Sequence, residues 1–156
     1  MKKILLFMSV LLVLSVNAFD IDKLAKYSTV YDKNANPHKD LAIAMQKAKV
    51  SGKNVLLLVG GDWCKWCGTF DNFLEDNEKI GESFYNSFEV VRVYFGKGIN
   101  KEAQSLLKQF PPLKATPHFY VLDKNAKLLK SIDSSPLERG YGYRKSKVVT
   151  FINANK

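Results

Sequence analysis

Five consecutive apolar residues, Val55-Leu56-Leu57-Leu58-Val59, stand between Lys53-Asn54 and Gly60-Gly61. The run is too short for a helix of this kind, and a half-exposed strand would alternate apolar with polar residues. An unbroken run of this length is instead a central strand, buried on both faces. Such a strand requires a sheet covered on each side, so the remaining chain has to supply amphipathic helices.

The flanking sequence supplies them. Asn36-Pro37 is a helix start, a capping side chain followed by a residue pre-set for the first turn, and Leu41, Ala44, Met45 and Ala48 follow at helical spacing up to Gly52. Beyond the apolar run, Cys67, Phe70, Phe73 and Leu74 share one helical face. A short helix is expected over Glu78 to Asn86, with Ile80 and Phe84 inward, then a strand from Glu89 to Phe95. Lys101 to Gln109 reads as a helix stopped by Pro111-Pro112. His118 to Leu122 and Lys127 to Ile132 read as strands around the turn Asp123 to Ala126. A closing helix over Lys145 to Asn153 places Val148, Val149 and Ile152 on one face. The order is that of an α/β domain with parallel strands followed by an antiparallel hairpin.

The chain has only two cysteines, Cys64 and Cys67, placed where the central strand turns into a helix. A disulfide between them closes almost no loop and adds little stability by constraining the unfolded chain. Reactivity explains the pair better. A disulfide exchange catalyst needs an attacking thiolate and a second thiol near enough to release the mixed disulfide. A cysteine at a helix N-terminus faces unpaired N–H groups and the positive end of the helix dipole, which favours thiolate. Cys64 is therefore the expected nucleophile, and Cys67, one turn further in, the resolving thiol. Lys65 either tunes the thiolate modestly or is solvated surface. Trp63 and Trp66 either shield the sulfurs and receive a polypeptide substrate or, for Trp63, form part of the core. Haem attachment would require histidine after the second cysteine, and Gly68 stands there. A zinc site would need His38 and His118 brought together beside the pair, so no metal is expected.

At the N-terminus Lys2 and Lys3 precede an apolar run from Ile4 to Val16 and then Asn17-Ala18. This is the layout of a signal peptide, expected over residues 1–18 with cleavage after Ala18; an uncleaved anchor is the alternative. The almost unbroken run of about 13 residues is shorter than the roughly 20 a spanning helix needs. Losing Lys2 and Lys3 lowers the formal charge from +9 to +7. The lysines are scattered, with no run of five or more, which argues for a solvated surface and against nucleic-acid binding. Residues 19–36 form a polar extension with a weak helical pattern at Ile21, Leu24 and Tyr27, and residues 37–156 fit one domain.

A hydrophobic strand, then Asp62-Trp63-Cys64-Lys65-Trp66-Cys67, then Thr116-Pro117 opening a strand, together resemble the thioredoxin superfamily over Lys53 to Phe151. Gly60 to Cys64, Phe73 to Asp76 and Gly140-Tyr141-Gly142-Tyr143 resemble in particular exported thioredoxin-like proteins related to the C-terminal reductase domain of DsbD. Tyr31-Asp32 to Asp40-Leu41 is similar to the N-terminal extension of that group. The resemblance implies a thioredoxin fold with a central mixed sheet flanked by helices, and a cis Thr116-Pro117 bond against the cysteines. In such a fold the backbone of Thr116 pairs with substrate as an added strand, and the loop keeps metals from the thiols. Trp63, Lys65, Trp66, Thr116 and Pro117 are then the expected substrate-binding residues. No cofactor is implied beyond the redox-active Cys64–Cys67 disulfide.

Two departures stand out. The buried acid that assists proton transfer at the second cysteine would fall at residue 58, which is Leu58, so another group or water must serve, and Asp62 is expected to be exposed. Lys65-Trp66 also replaces the familiar Gly-Pro. The expected function is a monomeric periplasmic disulfide reductase acting on protein disulfides and re-reduced by a membrane thiol donor of the DsbD type. The alternatives are an oxidase or isomerase, a non-catalytic peptide-binding or chaperone module, and a metal carrier.

Overall fold

The computed structural model describes residues 30–156, so the expected leader, its cleavage after Ala18 and the helical pattern at Ile21, Leu24 and Tyr27 lie outside the described residues. The apolar run forms β1 (Asn54–Gly60), which pairs in parallel with β2 (Phe88–Tyr94) and antiparallel with β3 (His118–Leu122). β3 pairs antiparallel with β4 (Leu128–Asp133), giving a four-stranded mixed sheet in the order β2-β1-β3-β4.

The pleat explains why β1 carries no polar residue between Val55 and Val59. Leu56 and Leu58 enter one core with Phe70 and Leu74 of α2 (Lys65–Asp76), Phe84 of α3 (Glu78–Ser87) and Ile152 of α5 (Lys145–Asn155). Val55, Leu57 and Val59 enter a second core with Leu41, Ala44 and Ala48 of α1 (Pro37–Ser51) and Ala103 and Leu106 of α4 (Lys101–Leu107). Leu56, Leu57 and Leu58 are each at most 1% exposed. Burying a leucine side chain fully contributes about 1.5–3 kcal/mol, so the strand is a large part of what fixes the sheet.

Helix ends follow the residues that mark them. Asn36 caps α1 by accepting the Lys39 N–H at 3.1 Å, and Gly52 closes it in the left-handed region at φ 75°. Asn100 caps α4 by accepting the Ala103 N–H at 2.8 Å. Its amide also donates to the carbonyls of Lys33 (2.8 Å) and Ala35 (2.7 Å), which clamps the segment before α1 onto the domain.

Beyond small shifts at element ends such as Asn155 for Asn153 in α5, the following features differ from expectation. Val149 is 40% exposed, whereas Val148, Phe151, Ile152 and Asn155 are buried. Neighbours on a helix are about 100° apart, so Val149 falls on the flank of the face set by the i, i+3, i+4, i+7 positions. Helix α4 ends at Leu107 rather than Gln109, its last turn giving way to turn-type hydrogen bonds from Gln109 to Leu106 and from Phe110 to Leu107. Between β4 and α5 the chain makes a 3-10 turn (Ser135–Leu137) and a small hairpin of β5 (Glu138–Arg139) and β6 (Gly142–Tyr143), with Gly140 at φ 60°.

On β3, His118 is 1% exposed; its Nε2 lies 2.9 Å from the Ser131 hydroxyl and its Nδ1 has no partner among the described residues. Burial holds its pKa below the ordinary 6.5, aided by Lys114 and opposed by Asp133. The unfolded chain therefore takes up a proton before the folded one does. Unfolding free energy should fall as pH drops below 6.5. In urea titrations at pH about 7.5 and about 5.5, His118→Gln is expected to flatten that dependence.

Candidate active site

The Cys64 N–H donates to the Gly61 carbonyl at 2.9 Å, turning the chain from β1 into α2. Cys64 keeps an extended backbone, φ −85° and ψ 102°, and is the N-cap of α2. Its Sγ accepts the Cys67 N–H at 3.1 Å, so sulfur occupies the place where a capping oxygen usually receives a first-turn amide. The same amide and the helix dipole favour a thiolate at Cys64 once the bond to Cys67 is open. Cys64 and Cys67 form a disulfide with Cα atoms 5.2 Å apart.

The Thr116-Pro117 bond is cis, as the resemblance implies, and precedes β3. The Thr116 hydroxyl lies 3.4 Å from Cys64 Sγ, in position to donate to it. Sequence separation of 52 residues is thus closed at the sulfur that the helix end activates. Cys64 is 5% exposed and Cys67 2%, so burial alone does not distinguish them. Their neighbours do: Cys64 meets Thr116, whereas Cys67 faces inward over Gly60, where an added Cβ would collide with its Sγ.

Trp63 is 55% exposed and is not a core residue. Its indole N–H donates to the Phe95 carbonyl at 2.8 Å, and Gly61 and Gly96 leave the slot that the ring edge fills. A large apolar ring is thereby fixed at the surface beside Cys64. Trp66 is half-buried, edge-on to the Tyr143 ring at 5.7 Å, and its carbonyl accepts from the Tyr143 hydroxyl at 3.2 Å. Lys65 is exposed at the first position of α2. Leu58 is buried at the position of the missing acid, and Asp62 is exposed as expected.

Sequence reasoning missed a polar cluster on the α2 side of the sheet. Arg92 of β2, 9% exposed, donates twice to the Asp71 carboxylate of α2, at 2.7 and 3.0 Å. Its guanidinium carbon lies 5.1 Å from the centre of the Tyr31 ring. A single charge inside Val90-Val91-Arg92-Val93 was the available signal, since a buried charge needs a partner. A cleft of about 850 Å³ lies over Tyr31, Asp71, Glu82 and Arg92, and neither cysteine lines it. Among the described residues no group of three or more His, Cys, Asp or Glu is arranged to hold a metal ion.

A thioredoxin-like family model matches residues 36–124, more than half of the chain and the whole stretch from α1 through β3. The chain belongs to the thioredoxin-like family. Solved structures similar to this thioredoxin-like protein include a disulphide isomerase from Xylella fastidiosa Temecula1, at 21% identity and TM-score 0.66, covering 80% of this chain and 94% of that one. The oxidised C-terminal domain of Neisseria meningitidis DsbD is similar at 20% identity and TM-score 0.57, covering 83% of this chain and all of that domain. A DsbH oxidoreductase is similar at 19% identity and TM-score 0.53, covering 84% and 85%. At these identities the likeness concerns the fold. No match is found among curated proteins.

The glycine under the disulfide gives a direct test of this packing. Gly60→Ala forces a methyl group against Cys67 Sγ and the Tyr31 ring. Urea denaturation of the oxidised protein should show a loss of about 1–3 kcal/mol, the usual range for overpacking. An unchanged midpoint would mean that the space is slack.

Proposed function

We propose that this chain is an exported thiol–disulfide oxidoreductase that works in the periplasm as a disulfide reductase. The observation that carries the reading is Cys64 Sγ held as the N-cap of α2, accepting the Cys67 N–H, with Thr116 against it. That arrangement lowers the cost of a thiolate at one defined sulfur.

In the reduced protein the Cys64 thiolate attacks a substrate disulfide, forming a mixed disulfide and expelling one substrate thiolate. Cys67, deprotonated, then attacks Cys64 Sγ and releases the second substrate thiolate. The substrate gains two electrons and the protein is left as the Cys64–Cys67 disulfide. An oxidising periplasm cannot restore the dithiol, so a thiol donor at the membrane, of the DsbD type, has to reduce it. The leader-like segment of residues 1–18 supports export.

Substrates are polypeptides in this reading. The sulfurs lie outside the 850 Å³ cleft, and the groups around them are an exposed Trp63 ring, Lys65, the edge of Trp66 and the Thr116-Pro117 backbone. An extended peptide can pair with the backbone of Thr116 while its disulfide meets Cys64. The protein acts as a monomer.

Wild type should reduce insulin disulfides with dithiothreitol as donor, and Cys64→Ser should abolish the rate above background. Equal, negligible rates would leave a peptide-binding module. Cys67→Ala should accumulate mixed disulfides on Cys64 in cells, because the resolving step is missing. A pair found oxidised in cells, with a potential near the oxidising end of the family, would reverse the direction to oxidase or isomerase.

A further inference from the structure

The missing acid at residue 58 leaves the resolving thiol without that neighbour, and another polar group lies on the Gly60 side of the thiol. Tyr31 is 9% exposed and belongs to the same core cluster as Leu58, Cys64 and Cys67. Its hydroxyl has no hydrogen-bond partner among the described residues. Arg92 lies against the ring, 5.1 Å from its centre, and a guanidinium only donates, so whatever it offers the phenol oxygen leaves the O–H itself without an acceptor among the described residues. A buried hydroxyl left unpaired costs about 1–3 kcal/mol, so its retention calls for a state in which it is paired.

Gly60 locates the partner. A Cβ built there would collide with Cys67 Sγ and would lie 3.0 Å from the Tyr31 hydroxyl oxygen. The oxygen and the sulfur therefore flank one small gap, less than two hydrogen-bond lengths apart. In the disulfide, Cys67 Sγ is bonded to Cys64 and carries no charge. When that bond opens, the sulfurs separate to nonbonded distance and Cys67 can carry a full negative charge next to an idle O–H donor.

We propose that the Tyr31 hydroxyl donates a hydrogen bond to the Cys67 sulfur once the disulfide is open, stabilising the charge that this sulfur carries when it resolves the mixed disulfide, a different service from the proton transfer that a buried carboxylate would give. This rests on the oxidoreductase reading above and deepens it. The Cys67 proton leaves to water, and the Tyr31 proton stays on its oxygen, so the phenol is a donor and not a base. Burial raises the Tyr31 pKa well above the ordinary phenol range, opposed by the Arg92 charge, which keeps the proton available at physiological pH. The other charged and titratable groups facing it are Asp71 of α2 and Tyr143 of β6, and Asp71 is already committed to Arg92. The segment that brings Tyr31 here is held by Asn100 through the carbonyls of Lys33 and Ala35.

A donor that finds a partner only in the reduced state favours that state. Tyr31→Phe should therefore shift the dithiol–disulfide equilibrium about tenfold towards the disulfide, which is a potential lower by about 30 mV for a two-electron couple. In the Cys64→Ser background, Tyr31→Phe should reduce the acidity of Cys67 about tenfold, read as the pH dependence of its alkylation. The oxidised Tyr31→Phe protein should melt no lower than wild type, because it loses only an unpaired group. Replacing Tyr31 by a ring-fluorinated tyrosine keeps the shape and strengthens the donor, and should raise the potential. Equal potentials and equal Cys67 acidity in wild type, Tyr31→Phe and the fluorinated protein would overturn the role of Tyr31. Insulin reduction by wild type against Cys64→Ser separately decides whether the pair is catalytic at all.

Discussion

The structure depends on β1 being buried on both faces. Because Leu56 and Leu58 face one core and Val55, Leu57 and Val59 the other, a one-residue slip of the strand would drive each set into the core shaped for the other. The C-terminal end of β1 is consequently a fixed point. Gly60 and Gly61 leave it with no side chain, Cys64 caps the next helix, and β3 returns antiparallel alongside with Pro117 immediately before it. The cysteine pair and the cis-proline loop, far apart in sequence, meet because both hang from neighbouring strand ends in one rigid sheet.

At that point the chemistry is governed more by backbone than by charged side chains. The atom nearest to activating Cys64 is the amide of Cys67, at 3.1 Å, and its other close polar neighbour is a hydroxyl. Lys65 is exposed, where a single charge is screened and contributes little. The ion pair of Arg92 with Asp71 lies against the Tyr31 ring, so its part is to hold that ring in place and to bias the phenol. A site built from amides and hydroxyls does not itself titrate in the physiological range, which leaves the sulfurs as the groups that change charge.

How much of this was legible in the chain depends on the range of the signal. The order of elements along the chain, the helices α1 to α3 and the capping role of residues such as Asn36 follow from local periodicity and end signals, because the residues that decide them are within a few positions of one another. The cysteines stood out for the same reason. Tyr31 did not: a tyrosine in a polar stretch carries no local mark of burial, and its place under Gly60 exists only once Asn100, 67 residues away from Lys33, clamps the segment. Val149 was misplaced because three valine and isoleucine residues near the C-terminus fit a helical face loosely, and only the neighbouring elements decide which flank is covered. The β5–β6 hairpin, two residues per strand, is too short for any periodicity, although Gly140 and Gly142 mark the turn.

Gly60 makes room for Cys67 Sγ, and Gly61 and Gly96 make room for the edge of Trp63. Each is a place where a side chain would press on a group that the chemistry requires to be in one position. Trp63 is more than half exposed and yet has its indole N–H tied to Phe95, so its orientation is set before any substrate arrives. A half-exposed ring held in this way loses little further side-chain entropy on docking, which is what the proposed recognition of polypeptides requires of it. The inner side of the disulfide is arranged oppositely: Cys67 Sγ and the Tyr31 hydroxyl leave no room for even a methyl group on Gly60. In the proposed reaction surface and interior thus divide the work between the two sulfurs, Cys64 meeting the substrate beside Thr116 and Cys67 meeting only the protein.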